Sequence, residues 1–156
     1  EAAFGMTLGQ IVNEIGGATG WYGVCTSFCL QPYFSLTQLG YPGNYYGGNN
    51  MTRGEHLYVS DGRDYIYGSG MRGGSSGGPH IANLGDLSDS AADQGQWPYR
   101  NVVFGATSWG YISEGPKIQG MSPLSGPNNA YNFRDLFNPA CTTAQGIHGA
   151  GSCSPL

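Results

Sequence analysis

An all-β fold, a barrel followed by one terminal helix, is what the sequence predicts, on three observations. Short runs rich in aromatic and β-branched residues recur between turn signals. The 28 Gly and 9 Pro demand many loops, while 11 Tyr, 6 Phe and 3 Trp supply enough buriable surface to keep the chain ordered. Helical spacing appears once, near the C-terminus. At 156 residues, one domain spanning 1–156 can bury a core without metals or staples.

The first expected strands are Phe4 to Leu8, Trp21 to Val24 and Tyr33 to Leu39. Gly40-Tyr41-Pro42-Gly43-Asn44 then reverses the chain, with Pro42 and Gly43 suited to the two central positions of a type II turn. His56 to Ser60 and Tyr65 to Tyr67 follow, then a glycine-rich stretch and a polar loop from Gly85 to Gln96. In that loop Asp86, Ser88, Asp89, Ser90 and Asp93 leave nothing to bury. Asn101 to Trp109 is the last expected strand. Asn128 or Asn129 can cap a helix carrying Phe133, Leu136 and Phe137 at helical spacing, with Pro139 ending it.

Charge and cysteine content narrow the function classes. Only 10% of residues are charged, the net charge is -4 and Lys117 is the sole lysine, so no basic stripe exists to neutralise phosphates. Nucleic acid is not an expected partner. No apolar run approaches the roughly 18 residues of a membrane span, so no membrane partner is expected. The start Glu1-Ala2-Ala3 reads as a mature or truncated piece. Four cysteines point to an oxidising compartment, secreted or periplasmic, and allow three pairings. The most local choice joins Cys25 to Cys29 and Cys141 to Cys153. Zinc ligation with His56, His80 or His148 lacks the usual C-x2-C or H-x3-H spacing, so neither metal nor cofactor is expected. Asn50-Met51-Thr52 matches a glycosylation acceptor, to which no role is assigned.

The stretch from Gly70 to His80, GMRGGSSGGPH, has the composition of a flexible linker. Its flanks argue for a short loop inside a folded unit: strand-like residues end at Tyr67, and Pro79-His80-Ile81 follow with no polar spacer. Glycines around a serine suit a catalytic turn, because backbone N–H groups must converge on a developing oxyanion while side chains stay clear of the substrate.

Gly74-x-Ser76-Gly77-Gly78-Pro79 resembles the nucleophile motif of the trypsin-like serine proteases. Ala106-Thr107-Ser108-Trp109-Gly110 resembles the family's segment that pairs with the substrate backbone and walls the primary specificity pocket. Gly20-Trp21-Tyr22-Gly23 and Leu39-Gly40-Tyr41-Pro42-Gly43 are similar to the bacterial, glutamyl-endopeptidase-like branch, and the helix around Phe133 lies where the family's C-terminal helix stands. The resemblance covers most of the chain but only the second of the family's two antiparallel Greek-key barrels.

It implies Ser76 as nucleophile and the N–H groups of Gly74 and Ser76 as oxyanion hole. It also implies substrate binding by Gly70, Met71, Gly73, Ser108, Trp109 and Gly110, in a pocket with no fixed charge at its floor. Polypeptides would be the substrates. Ser75 stands where animal trypsins carry the Asp that captures a new N-terminus, and Thr107 where Glu-specific relatives place a His.

The family's catalytic His and Asp precede the nucleophile, and neither is evident. His56, 20 residues before Ser76, reads as a structural or surface histidine, and Ala3 occupies the acidic position of the strand Ala3 to Leu8. The resemblance therefore implies an N-terminal protease half, outside this chain, that supplies both. Two other readings stay open. Gly74-Ser75-Ser76-Gly77-Gly78 also fits the G-x-S-x-G elbow of α/β-hydrolases, with Ser76, Asp135 and His148 as triad, although Gly77-Gly78-Pro79 is a poor start for the helix that must follow. A non-catalytic pseudoprotease would keep the cleft as a peptide-binding groove beside Ser108 to Gly110.

Overall fold

The computed structural model describes residues 22–26, 36–60, 65–85, 101–111, 115–125, 133–151 and 153, and within it the β-rich runs form one eight-stranded sheet. The strands are β1 (Gly23–Val24), β2 (Leu36–Gly40), β3 (Thr52–His56), β4 (Tyr58–Ser60), β5 (Tyr65–Gly68), β6 (Pro79–Ala82), β7 (Val102–Gly110) and β8 (Ile118–Pro123). They lie in the order β3-β2-β6-β7-β8-β5-β4, every neighbouring pair antiparallel, with β1 added in parallel beside β7. The two strands at the ends of that order, β3 and β4, are separated only by Leu57, so the sheet curls into a nearly closed barrel. Residues 23–130 make up this unit.

Several expected boundaries move. The run His56 to Ser60 breaks at Leu57, where β3 ends and β4 begins. The polar start of β3 gave no strand signal, because it pairs only with β2 and is dressed by charge: Thr37 Oγ1 donates to Glu55 Oε1 at 2.8 Å, and Arg53 reaches the same carboxylate at 2.7 Å. Strand β6 was hidden by the glycines before it, and Pro79 takes its first position, where a missing N–H is tolerated. The reversal after β2 also differs from expectation. Tyr45 N donates to Pro42 O at 3.0 Å, so Pro42 opens the turn and Gly43-Asn44 form its centre, while Gly43 N is taken by Gly73 O at 2.8 Å. The expected strand Phe4 to Leu8 and most of the loop from Gly85 to Gln96 lie outside the described residues.

Strand register divides the barrel interior into two layers. In the apolar layer Leu36 faces Ala82 and Tyr65 faces Met121, packed with Phe104 and Cys25. Two residues further along the same strands, Gln38 faces His80 and Tyr67 faces Gln119, joined by Thr107. Gln38, His80, Thr107 and Gln119 are all at most 4% exposed, so this second layer is polar and buried. Buried polar groups must find partners, and here they find one another. Gln38 Nε2 donates to Gln119 Oε1 at 2.8 Å and to Thr107 Oγ1 at 3.0 Å, while Gln38 Oε1 accepts from Ser69 Oγ at 2.9 Å and from His56 Nε2 at 3.1 Å.

The second unit, residues 1–22 and 131–156, contains helix α1 (Phe133–His148). Pro139 sits inside this helix rather than ending it. The ring removes the one N–H that would reach Asp135 O, a local loss; beyond it the Thr142 and Thr143 hydroxyls bond to Asn138 O and Pro139 O, both at 3.0 Å, and a disulfide ties Cys141 to Cys153. Gly149, at φ +95°, closes the helix with its N–H on Gln145 O at 2.9 Å. The Cys141–Cys153 pair is the expected one. Cys25 is also disulfide-bonded; its expected partner Cys29, like the capping candidates Asn128 and Asn129, lies outside the described residues.

The polar layer predicts a pH response. Burial, and then the charge of His56, pushes His80 down to about 3 from the ordinary 6.5, so it stays neutral in the folded protein. Below about pH 6.5 the unfolded chain binds a proton that the folded chain refuses, and stability falls until pH approaches the folded value. Urea titrations should show His80 removing on the order of 2–3 kcal/mol between about pH 6.5 and 4.5. In His80→Gln the stability curve should be flatter over that window.

Candidate active site

The glycine-rich stretch is two consecutive tight turns. Ser75 N donates to Arg72 O at 3.1 Å and Gly78 N to Ser75 O at 3.0 Å. The third residue of each turn is a glycine at positive φ, Gly74 at +98° and Gly77 at +78°, the signature of type II. This geometry drives Ser75 inward, 2% exposed, and throws Ser76 outward at the corner of the second turn. The turns rest on β2 and the loop after it. A Cβ on Gly74 would stand 2.5 Å from Tyr41 O, and one on Gly78 would stand 2.1 Å from Leu39 O.

Two peptide planes in the turns are held by their carbonyls. Gly73 O accepts from Gly43 N, and Ser75 O from Gly78 N. No cis peptide bond is present, so each plane sends its N–H the opposite way. Those N–H groups belong to Gly74 and Ser76, and neither has a hydrogen-bond partner among the described residues. Asn44 braces the segment before them, donating from Nδ2 to Gly70 O at 2.9 Å and accepting from Arg72 N at 3.0 Å.

Ser76 opens on a cleft of about 350 Å³. One wall is Met71 to Gly73 with Ser75 and Ser76, the other is Thr107 to Tyr111, and Gln119 lies between. Strand β7 bulges at Ser108, since Thr107 pairs with Met121 and Trp109 with Gly120, leaving Ser108 exposed. On its β6 side, β7 is paired as far as Thr107, which exchanges bonds with Gly77 and Gly78; beyond it the edge has no strand partner among the described residues. The Trp109 indole meets Tyr111 edge to face at 5.8 Å.

Of the residues the sequence pointed to, Met71, Gly73, Ser76, Ser108, Trp109 and Gly110 line this one cleft. Gly70 does not: it faces Tyr45, whose hydroxyl lies 2.7 Å from where a Gly70 Cβ would be. Gly74 is exposed and also lies outside the lining. The histidines of the barrel do not reach Ser76. His56, held below its ordinary value mainly by burial, donates to Gln38, and His80 bonds Thr107 Oγ1 at 3.0 Å. Asn44, Gln38 and Gln119 were missed as site residues. No local signal marked them: a glutamine in Leu36-Thr37-Gln38-Leu39 or Ile118-Gln119-Gly120 reads as a solvent-facing strand residue.

The fold has a counterpart among solved structures. A thermostable serine protease, AL20, from an extremophilic microorganism is similar over 90% of this chain, with a TM-score of 0.52 and 17% identity. The barrel is trypsin-like in fold. This chain spans 51% of the length of that protease. No family model matches the sequence, and no curated protein matches it. The trypsin-like barrel also disposes of the α/β-hydrolase reading: Ser76 is followed by a glycine turn and strand β6 in an antiparallel sheet, where an elbow must launch a helix from a parallel one.

The turn geometry makes a sharp contrast among three glycines. Gly74→Ala, through its left-handed backbone and contact with Tyr41 O, and Gly78→Ala, through contact with Leu39 O, should each cost more than about 2 kcal/mol in urea denaturation. Gly73→Ala, with nothing within 4 Å of its Cβ, should change stability by less than about 0.5 kcal/mol.

Proposed function

We propose that this chain is the second barrel of a trypsin-like serine endopeptidase, with Ser76 as nucleophile and the amides of Gly74 and Ser76 as oxyanion donors. The observation that carries the reading is the pair of fixed peptide planes beside an exposed serine at the mouth of the cleft. As Ser76 Oγ attacks the scissile carbonyl, its proton passes to a base, the C–O bond forms and the carbonyl oxygen takes up the negative charge. Donors already aimed at that oxygen contribute about 3 kcal/mol apiece without reorganising. Collapse breaks the C–N bond, the base returns the proton to the leaving amine, and water releases the acyl group by the reverse route.

The substrate in this reading is an extended polypeptide, adding itself as a strand to the open edge of β7. The base is assigned to a first barrel encoded ahead of Glu1, together with its acid. Two facts support that assignment: His56 and His80 are committed to Gln38 and Thr107, and the chain spans 51% of the similar protease. A disulfide at Cys141–Cys153 supports a secreted or periplasmic location. The absence of a base on Ser76 among the described residues also favours a second reading, a pseudoprotease that binds peptides without cutting them.

Fluorophosphonate treatment followed by mass spectrometry separates the two. The protein carrying both barrels should be labelled at Ser76 and lose labelling in Ser76→Ala, while residues 1–156 alone should react at least about a thousandfold more slowly. An unlabelled two-barrel protein that binds peptides by calorimetry would establish the pseudoprotease.

A further inference from the structure

Ser75 is the residue between the two oxyanion amides, and its side chain is the turn's anchor into the barrel. Its hydroxyl donates to Arg72 O at 2.8 Å and accepts from Gln119 Nε2 at 3.0 Å. The second proton of that amide goes to Met71 O at 2.9 Å, on the wall of the cleft, and Gln119 Oε1 accepts from Gln38. Gln119 thus lines the cleft while spending every polar atom on the protein. The donors run one way, from His56 to Gln38, to Gln119, to Ser75 and into Arg72 O.

From this geometry we infer that Gln119 is a positioning residue for the oxyanion hole, acting through Ser75. The inference rests on the serine-nucleophile reading above. The peptide that carries the Gly74 N–H lies between two glycines, so little in its own side chains resists rotation. Its orientation depends on the tethers to either side: Gly43 N on Gly73 O behind it, and Ser75 Oγ pinned by Gln119 ahead of it. Releasing Ser75 frees the turn at the point where both amides must face one atom, and transition-state stabilisation is lost while the cleft keeps its shape.

The test compares Gln119→Met, which keeps volume without donors, Ser75→Ala, which removes the same contact without touching β8, and the double variant, all in the two-barrel protein. With a fluorophosphonate probe, each single variant should lower the maximal rate of Ser76 acylation at least tenfold, with little change in the probe's half-saturation concentration. The double variant should be no slower than the worse single one. Unchanged acylation, a loss confined to half-saturation, or additive losses would overturn the inference while leaving the nucleophile assignment standing. Amide hydrogen exchange reads the same tether without chemistry: protection at Ser75 and Gly78 should fall at least tenfold in Gln119→Met. Wild-type protein that takes no label at Ser76 would sink the functional reading instead, and unchanged exchange would then overturn the tether by itself.

Discussion

Burying the Gln38 carboxamide at 0% exposure would cost a few kcal/mol if its atoms went unpaired, and much of the barrel is arranged around meeting that requirement. Its oxygen needs donors, and Ser69 and His56 bring them from β5's end and from β3. Its nitrogen needs acceptors, and Thr107 and Gln119 supply them from β7 and β8. One side chain on β2 therefore recruits groups that lie 18, 31, 69 and 81 positions away in sequence. A slip of one residue in any of these strands would turn its partner out of the barrel and leave the amide unsatisfied. The polar layer thus selects a single register, something the apolar layer of Leu36, Ala82, Phe104 and Met121 does less sharply, because hydrophobic contact is not directional.

That layer lies at the end of the barrel nearest the cleft. Tyr67 and His80 rings pack at 4.7 Å and Tyr67 and His56 at 5.1 Å, adding ring contacts to the layer's hydrogen bonds. Burial also pushes the Tyr67 phenol up to about 12, so it, like His80, stays uncharged in the folded protein at neutral pH. The interior behind the glycine-rich turns is therefore polar, with Tyr67 and His80 both neutral. Hydrogen bonds in such a setting are stronger than in water and fix direction as well as distance.

What could be read from the sequence followed from which residues signal locally. The glycine-rich double turn was legible because Gly74 and Gly77 are required by the backbone conformation itself, and the strands around Tyr65 and Phe104 announced themselves by aromatic and β-branched content. Strand β3 was not, since an edge strand with one partner can be built from Thr, Arg, Gly and Glu. Pro139 misled because its cost to the helix is local, whereas the Cys141–Cys153 bridge and the Gly149 cap act beyond it. The glutamines were invisible for a deeper reason: a lone Gln in a strand is ordinarily a solvent-facing residue, and only the spatial meeting of β2, β7 and β8 makes it a structural centre.

On the proposed reading, the division of labour between two barrels follows from the tolerances of the chemistry. Oxyanion stabilisation depends on backbone N–H groups held to a fraction of an ångström, and only a continuous hydrogen-bonded scaffold can hold them there. Everything that fixes the Gly74 and Ser76 planes, from Gly43 and Gly78 to Ser75, comes from this one barrel. A general base needs only a ring nitrogen within reach of Ser76 Oγ, a condition that a side chain on a separate body can meet when the two halves dock. The parts that demand the greatest precision are accordingly built by the sheet that also carries the substrate-pairing edge, and the part that tolerates adjustment is the one this chain leaves to another segment.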